Sequence, residues 1–161
     1  MSAGESDLAT ILIVDDTPTN LEILVDYLSE AGFEIAVATS GDGALRQIAN
    51  IVPDLILLDV MMPGMDGYEV CRRLKSDEKT KGIPIIFVTA KSQVEDENMG
   101  FELGAVDYIA KPFHLREVLA RIRTVLRRAA NSDPERRRAA ERLQNGESDR
   151  GVTFAGWRFD V

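Results

Sequence analysis

Residues 54–70 read DLILLDVMMPGMDGYEV and combine a predicted strand with a predicted helix. Its first six residues, Asp54–Asp59, enclose a continuous apolar run without polar alternation, which is typical of a β-strand buried on both faces. The residues near Gly67–Lys75 then predict a helix. A strand that leads into a helix through a short connection is the building block of a parallel sheet.

The same strand–helix unit recurs on both sides of this stretch. Short β-rich apolar runs predict four further strands, at Ile11–Asp15, Phe33–Ala38, Ile83–Thr89 and Val106–Ala110. Helical patterns predict helices after Thr17, over Gly43–Asn50, over Val94–Leu103 and from Leu115 onward. Because crossovers between parallel strands are right-handed, five such units predict an α/β fold with a doubly wound, five-stranded parallel sheet and helices on both faces.

The first helix carries the clearest local signals. Thr17 is expected at its N-cap and Pro18 at its first position, where the missing N–H of proline costs nothing. An apolar stripe then runs from Leu21 to Leu28 at helical spacing, and Gly32 is expected to end the helix. These signals together fix where the first strand must stop.

Composition restricts the class of protein. The chain has 161 residues and one cysteine, Cys71, which excludes an internal disulfide and a multi-cysteine metal site. No apolar run approaches the roughly 20 residues that span a bilayer, and the first residues lack the features of a secretory signal. We therefore expect a cytoplasmic protein without membrane contact.

The charge of the chain is unevenly distributed. The net charge is −8, yet residues 1–113 carry 20 acidic and 8 basic residues, whereas residues 114–161 carry 7 acidic and 11 basic ones. An acidic body with a basic tail suggests two functional regions. The body is a poor candidate for direct nucleic-acid binding, because it would repel the phosphates.

Polar side chains stand where the predicted strands end. Asp15 and Asp16 end the first strand, Asp59 the third and Thr89 the fourth, and Lys111 follows the fifth. Binding sites of open parallel sheets lie beyond the carboxyl ends of the strands, where the strand order reverses. If the first and third strands flank that point, three carboxylates share one cleft, and their mutual repulsion requires a cation. Such oxygen ligands select Mg²⁺, Mn²⁺ or Ca²⁺.

This cleft contains the groups needed for phosphoryl transfer, which favours Mg²⁺. A carboxylate can act as a nucleophile and form an aspartyl phosphate, and Asp59 is best placed for that role. The metal and Lys111 would neutralise charge on the phosphoryl oxygens, and Thr89 would donate a hydrogen bond to them. The chain has no GxxxxGK[ST] or GxGxxG phosphate loop, which argues against a nucleotide substrate.

Four motifs resemble the receiver domains of two-component response regulators. They are IVDD at 13–16, LLDVMMPGMDGYE at 57–69, FVTAK at 87–91 and GAVDYIAKPF at 104–113. The resemblance implies a flavodoxin-like (βα)5 fold with strand order 2-1-3-4-5. It also implies that a partner sensor histidine kinase phosphorylates Asp59, and that the chain is a phosphoacceptor switch rather than an enzyme.

The resemblance implies a metal site in the cleft. Asp16, Asp59 and the backbone carbonyl of Met61 would bind Mg²⁺, and Asp15 would assist through a water molecule. In this family, the residues at the positions of Met61 and Lys91 influence the lifetime of the aspartyl phosphate. The two residues present here do not predict the rate of phosphate loss.

The resemblance also implies the parts of a switch. Lys111 would contact the phosphoryl group, and the Lys111–Pro112 peptide bond would be cis. On activation Thr89 would move toward the phosphoryl group. Tyr108, the aromatic residue of the fifth strand, would turn inward behind Thr89.

The sequence beyond the receiver-like part changes character. We expect an N-terminal tail over 1–9, a receiver domain over 10–129 and a polar linker over 130–151. The segment EVLARIRTVLRR, at 117–128, and the apolar segment 152–161 resemble regulators with a winged-helix DNA-binding domain of the OmpR/PhoB type. Residues 152–161 would be the first strand of that effector domain, cut short, so DNA would be bound only through its missing remainder.

That subfamily forms a symmetric homodimer through its fourth helix, fifth strand and fifth helix, with ion pairs between the subunits. Asp107 and Arg121 match one such pair. Glu97 stands where a basic residue would face Glu117, and Val106 replaces an acidic residue of a third pair. Exposed pairs contribute only about 0–1 kcal/mol each, so apolar contacts could still hold the dimer.

Two alternatives remain open at the level of sequence. A haloacid-dehalogenase-type phosphatase also uses an aspartate nucleophile, but it needs two acids spaced one residue apart, and Thr17 and Pro18 occupy the relevant positions. The stretch 88–113 also resembles receivers attached to cyclic-dinucleotide enzymes or hybrid kinases. The chain could then be a stand-alone adaptor or a receiver without DNA output.

Overall fold

The computed structural model describes residues 8–132 apart from Ser92. These residues contain every strand and helix predicted for the receiver part. The last helix continues to Ser132, so the predicted linker, 130–151, begins within the end of that helix. The rest of that linker and the predicted effector strand, 152–161, lie outside the described residues.

The described part of the chain contains five parallel strands in one sheet, in the order β2-β1-β3-β4-β5. They are β1 Thr10–Val14, β2 Glu34–Ala38, β3 Leu55–Leu58, β4 Ile85–Thr89 and β5 Asp107–Ala110. The predicted sheet is confirmed, with β1 beside β3 and Val14 paired with Leu58 at their carboxyl ends. Since the strand order reverses between β1 and β3, a binding crevice is expected beyond these two ends.

Five helices connect and flank these strands within residues 8–132. They are α1 Pro18–Glu30, α2 Gly41–Asn50, α3 Gly67–Lys75, α4 Val94–Glu102 and α5 Leu115–Ser132. Thr17 stands at the N-cap of α1 as predicted, although its side chain makes no capping bond. Gly32 follows the helix with a φ of 105°, which glycine adopts at little cost. Among the described helices, none has the length and apolarity needed to cross a membrane.

The central strands are buried on both faces of the sheet. In β3, Leu55 and Leu57 pack with α1 and α5, whereas Ile56 and Leu58 pack with α2 and α3. Burial of a side chain of this size contributes roughly 1.5–3 kcal/mol. The two cores therefore fix the position of the strand ends, where the polar residues of interest stand.

The strand β4 begins later than the sequence predicts. Ile83 donates its N–H to Thr80 O at 3.0 Å and so belongs to a turn. Pro84 has no N–H for a ladder, and only its carbonyl pairs, accepting from Ile56 N–H at 3.0 Å. The strand consequently starts at Ile85.

Candidate functional site

Three carboxylates meet at the carboxyl ends of β1 and β3. Asp15 and Asp16 directly follow β1, and Asp59 directly follows β3. One oxygen of each carboxylate lies within 4.8 Å of the other two. Asp15 and Asp59 are only 3% and 4% exposed, whereas Asp16 is exposed to solvent. The predicted acids therefore share one crevice that opens on the side of Asp16.

Backbone N–H groups orient the two buried carboxylates. Thr17 N–H donates to Asp15 Oδ1 at 2.9 Å, and Met61 N–H donates to Asp59 Oδ1 at 3.0 Å. Hydrogen bonds to ionised acceptors are among the stronger ones in proteins, so they hold both side chains in one orientation. The Oδ2 atom of each carboxylate is left for a different partner.

Lys111 supplies that partner from the end of β5. Its Nζ lies 2.9 Å from Asp15 Oδ2 and 3.0 Å from Asp59 Oδ2. Burial disfavours the charged amine, but the hydrogen bonds to the two carboxylates outweigh burial and raise the pKa of Lys111. The Lys111–Pro112 peptide bond is cis, as expected from the resemblance. The ammonium is thus a fixed cation that bridges the two buried carboxylates.

Thr89 and Tyr108 both contact the backbone of Lys91. Thr89 ends β4 and is fully buried, and its Oγ1 accepts a hydrogen bond from Lys91 N–H at 3.3 Å. Tyr108 on β5 is 8% exposed, so its ring points inward, and its hydroxyl donates to Lys91 O at 2.6 Å. The two predicted switch residues are therefore connected through one peptide segment.

Met61 stands between the carboxylate cluster and an open cleft. Its N–H is bonded to Asp59, while its side chain is more than half exposed. The cleft has a volume of about 360 Å³ and is lined by Val60, Met61, Met62, Pro63, Asp66 and Lys91. The loop of residues 59–66, called the acceptor loop after the role predicted for Asp59, therefore has free space on the side away from the core.

The carboxylate cluster has the composition of a site for a hard divalent cation. Asp15, Asp16 and Asp59 each offer an oxygen at distances that one ion could bridge. Three acids and the ammonium of Lys111 leave an excess of negative charge, which a cation would compensate. The cluster could therefore bind a metal ion, while the carbonyl of Met61 stays a predicted ligand.

Tyr68 is a residue of this region that sequence reasoning missed. Its hydroxyl lies 3.2 Å from that of Tyr108 and donates to Asp96 O at 3.0 Å. In the sequence Tyr68 stands in the first turn of a helix, and no local pattern distinguishes it from an ordinary packing residue. Only the placement of α3 against α4 and β5 reveals where its hydroxyl lies.

The two tyrosines give a prediction for alkaline pH. Burial raises the pKa of Tyr68 and the pKa of Tyr108. Such a phenol stabilises the fold below its unfolded pKa of about 10, and this contribution is lost as the pH rises through the folded value. We expect the free energy of unfolding to fall above about pH 10, and less steeply in Tyr108→Phe. Urea unfolding across this range measures both slopes, and equal slopes would contradict the prediction.

Comparison with known proteins identifies the family. The sequence model described as the response regulator receiver domain matches residues 11–123. The chain belongs to the response regulator receiver family. The five-stranded sheet and the strand-end acids of this receiver therefore agree with the resemblance carried by its four motifs.

Curated relatives of the receiver are mostly regulators of transcription. The phosphate regulon transcriptional regulatory protein PhoB of Pseudomonas aeruginosa is 48% identical over 126 residues, which cover 78% of this chain and 55% of that protein. A Vibrio cholerae protein named "Probable cyclic di-GMP phosphodiesterase" is 44% identical over 133 residues, covering 83% of this chain and 30% of that protein. The receiver spans about half the length of the curated transcriptional regulators it matches.

A solved structure supports the fold assignment. The response regulator receiver domain protein (CheY-like) of Methanospirillum hungatei is 29% identical, with a TM-score of 0.75. The match covers 79% of this chain and 100% of that one. The flavodoxin-like arrangement with strand order 2-1-3-4-5 is therefore confirmed.

Proposed function

We propose that the receiver accepts a phosphoryl group on Asp59 from a partner sensor histidine kinase, with Mg²⁺, and then changes its output surface in a two-component pathway. The observation that carries this proposal is the position of Lys111 Nζ within 3.0 Å of both Asp15 and Asp59. A single buried aspartate at a strand end would be explained by packing or by a turn. Two buried aspartates that share one ammonium form an arrangement suited to binding an anionic group together with a cation.

Asp59 would act as the nucleophile. One of its oxygens attacks the phosphorus of the kinase phosphohistidine, the O–P bond forms as the N–P bond breaks, and the released imidazole takes a proton from solvent. Mg²⁺, held by Asp16, Asp59 and the Met61 carbonyl with Asp15 assisting through water, would neutralise charge on the phosphoryl oxygens. Lys111 would exchange its bond to Asp59 Oδ2 for one to a phosphoryl oxygen.

The phosphoryl group would affect the output surface through Thr89. The Thr89 hydroxyl would turn to donate to a phosphoryl oxygen, which would weaken its present bond to Lys91 N–H. Because Tyr108 already lies inward and is bonded to the carbonyl of Lys91, movement of that segment would shift its ring from this inward position rather than turn it inward as the resemblance implies. The surface formed by α4, β5 and α5 would change as a result.

A phosphatase of the haloacid-dehalogenase type is not favoured. That class needs a second acid two residues after the first, and the relevant position holds Thr17, which gives its backbone N–H to Asp15. The receiver would therefore be a phosphoacceptor switch, with at most slow self-phosphorylation and autodephosphorylation.

We infer that the output is regulation of transcription. The relatives named as transcriptional regulators are longer than this chain, and the predicted strand at 152–161 would begin the part of them that follows the receiver. The phosphodiesterase relative supports the alternative of cyclic-dinucleotide output. The coding sequence after Val161 discriminates between them: a frame that encodes a winged-helix domain supports transcription, and a phosphodiesterase domain or a stop supports the alternatives.

A homodimer of the receiver would use the face formed by α4, β5 and α5. Within one chain, Arg121 already pairs with Asp107 at 2.7 Å and with Glu117 at 3.0 Å. Phe101 and Val106 are 46% and 44% exposed on α4 and just before β5. The dimer would therefore depend more on apolar contact than on ion pairs between subunits.

Phosphate uptake from acetyl phosphate tests the proposed function. With Mg²⁺ present, we expect a single phosphoryl addition in the intact mass of the chain, labile to base. A chelator should prevent the addition, because the metal is needed to neutralise the carboxylates and the phosphoryl group. Absence of any addition with Mg²⁺ present would overturn the proposal.

Lys111→Met is expected to slow phosphate uptake and to strengthen Mg²⁺ binding. The substitution keeps an unbranched side chain but removes the ammonium that Asp15 and Asp59 share, so a metal ion no longer competes with it. Loss of one such electrostatic contact slows group transfer by roughly 10²–10³-fold. Calorimetric titration and intact mass measure the two effects, with Lys81→Met, which removes the lysine paired with Glu78, as control. Uptake at the wild-type rate in Lys111→Met would contradict the role of this lysine.

A further inference from the structure

Three aromatic rings pack together between α3, β4 and β5. The rings of Tyr68 and Phe87 meet edge to face with centroids 5.4 Å apart, and those of Phe87 and Tyr108 lie 5.6 Å apart. Phe87 is fully buried in β4, so it provides a fixed surface for both tyrosines. This packing brings the two tyrosine hydroxyls together at 3.2 Å, although the residues stand 40 positions apart in the chain.

The hydrogen bonds of these hydroxyls form a small network. Tyr108 donates its one proton to Lys91 O at 2.6 Å, which leaves its oxygen as an acceptor. Tyr68 donates its own proton to Asp96 O at 3.0 Å, and the Tyr108 oxygen lies 3.2 Å from its hydroxyl as a second acceptor. Tyr68 therefore contacts both Tyr108 and the first turn of α4.

The backbone next to Tyr68 is attached to the acceptor loop. A Cβ on Gly67 would lie 2.2 Å from Asp59 O, so α3 begins directly against the backbone of the acceptor residue. Gly67 N–H also donates to Val60 O at 2.9 Å. The main chain next to Tyr68 thus lies against the acceptor loop, while its hydroxyl contacts the hydroxyl of Tyr108.

Gly100 on α4 provides the space for the inward ring of Tyr108. A Cβ at Gly100 would lie 3.0 Å from Tyr108 Cδ2 and 3.1 Å from Phe87 Cδ2. These are closer than ordinary van der Waals contacts, so a larger residue would press against the ring. The inward position of Tyr108 depends on this space on one side and on the hydroxyl of Tyr68 on the other.

We propose that Tyr68 is a positioning residue that holds Tyr108 inward and connects the acceptor loop to α4, in parallel with the path through Thr89. Without the Tyr68 hydroxyl, the Tyr108 oxygen loses a protein partner, and the ring gains outward positions. The holding of Tyr108 does not depend on phosphorylation. The connection to the acceptor loop rests on the proposed function.

Fluorine NMR tests the holding of Tyr108. The chain has three tyrosines, so labelling with 3-fluorotyrosine gives three signals that single Tyr→Phe variants assign. In Tyr68→Phe, the Tyr108 signal is expected to move toward that of free fluorotyrosine and to gain a solvent isotope shift in D₂O. Tyr27→Phe, on α1, is the control and should leave the signal in place. A Tyr108 signal in Tyr68→Phe that matches the wild type would overturn the holding role.

Hydrogen exchange tests the connection to the acceptor loop. Tyr68→Phe is expected to take up phosphate at the wild-type rate, since its hydroxyl touches no group of the crevice, but to lose most of the phosphorylation-dependent change in exchange over α4. A full change over α4 in Tyr68→Phe would overturn the connection. If the wild type takes up no phosphate, the proposed function fails while the NMR comparison still decides the holding of Tyr108.

Discussion

Asp59→Asn is expected to abolish phosphate uptake while the receiver stays folded. The amide lacks the anionic oxygen that attacks phosphorus, yet it keeps an acceptor for Met61 N–H, now bonded at 3.0 Å. The substitution also removes one of three carboxylates whose oxygens lie within 4.8 Å of one another, so relief of repulsion offsets the lost contact with Lys111. Intact mass after incubation with acetyl phosphate and Mg²⁺ measures uptake, and urea unfolding measures stability.

Asp54 provides the matched control at the opposite end of β3. It is 3% exposed, much like Asp59, and its Oδ2 accepts the N–H of Thr10 at 2.8 Å. Asp54→Asn weakens a buried hydrogen bond to a charged group, so we expect a loss of about 1–3 kcal/mol in stability with phosphate uptake retained. Uptake that survives Asp59→Asn and disappears in Asp54→Asn would contradict the assignment.

Gly67→Ala is expected to lower stability by about 3 kcal/mol, the upper end of the usual overpacking cost. The added Cβ would lie 2.2 Å from Asp59 O and 2.8 Å from Val60 Cα, and both are backbone atoms that cannot turn aside. Relief requires α3 to shift away from the acceptor loop. Phosphate uptake should therefore slow as well, because Asp59 moves with its backbone.

Gly82→Ala is the control for this substitution. A Cβ at Gly82 would meet nothing within 4 Å, so alanine adds no clash there. Replacing a glycine in an unstrained conformation changes stability by no more than about 1 kcal/mol, and usually raises it. Urea unfolding of both variants gives the comparison, and similar losses in the two would show that the contact of Gly67 with the acceptor loop is not tight.

The sheet and the crevice could be predicted from the sequence because local patterns reveal the strands and the polar residues at their carboxyl ends. Parallel strands bring their carboxyl ends to one edge, so the strand pattern predicts that Asp15, Asp59, Thr89 and Lys111 converge. The structure confirms that convergence for Asp15, Asp59 and Lys111 and adds the bonds that orient them. The hydroxyl of Thr89 accepts a hydrogen bond from the N–H of Lys91.

The contacts of α3 could not be predicted in the same way. The sequence around Gly67 and Tyr68 indicates only that a helix begins there. Two contacts depend on how segments distant in the chain pack together. One is the close approach of Gly67 to Asp59 O, and the other joins the hydroxyls of Tyr68 and Tyr108. Within one chain Arg121 pairs with Asp107, and the ion pair between subunits stays a prediction.

Locating the phosphoryl group on the chain tests directly whether Asp59 is the phosphoacceptor. Borohydride reduction of the chain after incubation with acetyl phosphate and Mg²⁺ converts an aspartyl phosphate into homoserine, which peptide mass spectrometry can locate. We predict homoserine at position 59 and no conversion at Asp15, Asp16 or Asp54. Conversion at one of those residues, or phosphate on a hydroxyl side chain that borohydride leaves unchanged, would contradict the assignment of Asp59 as the phosphoacceptor.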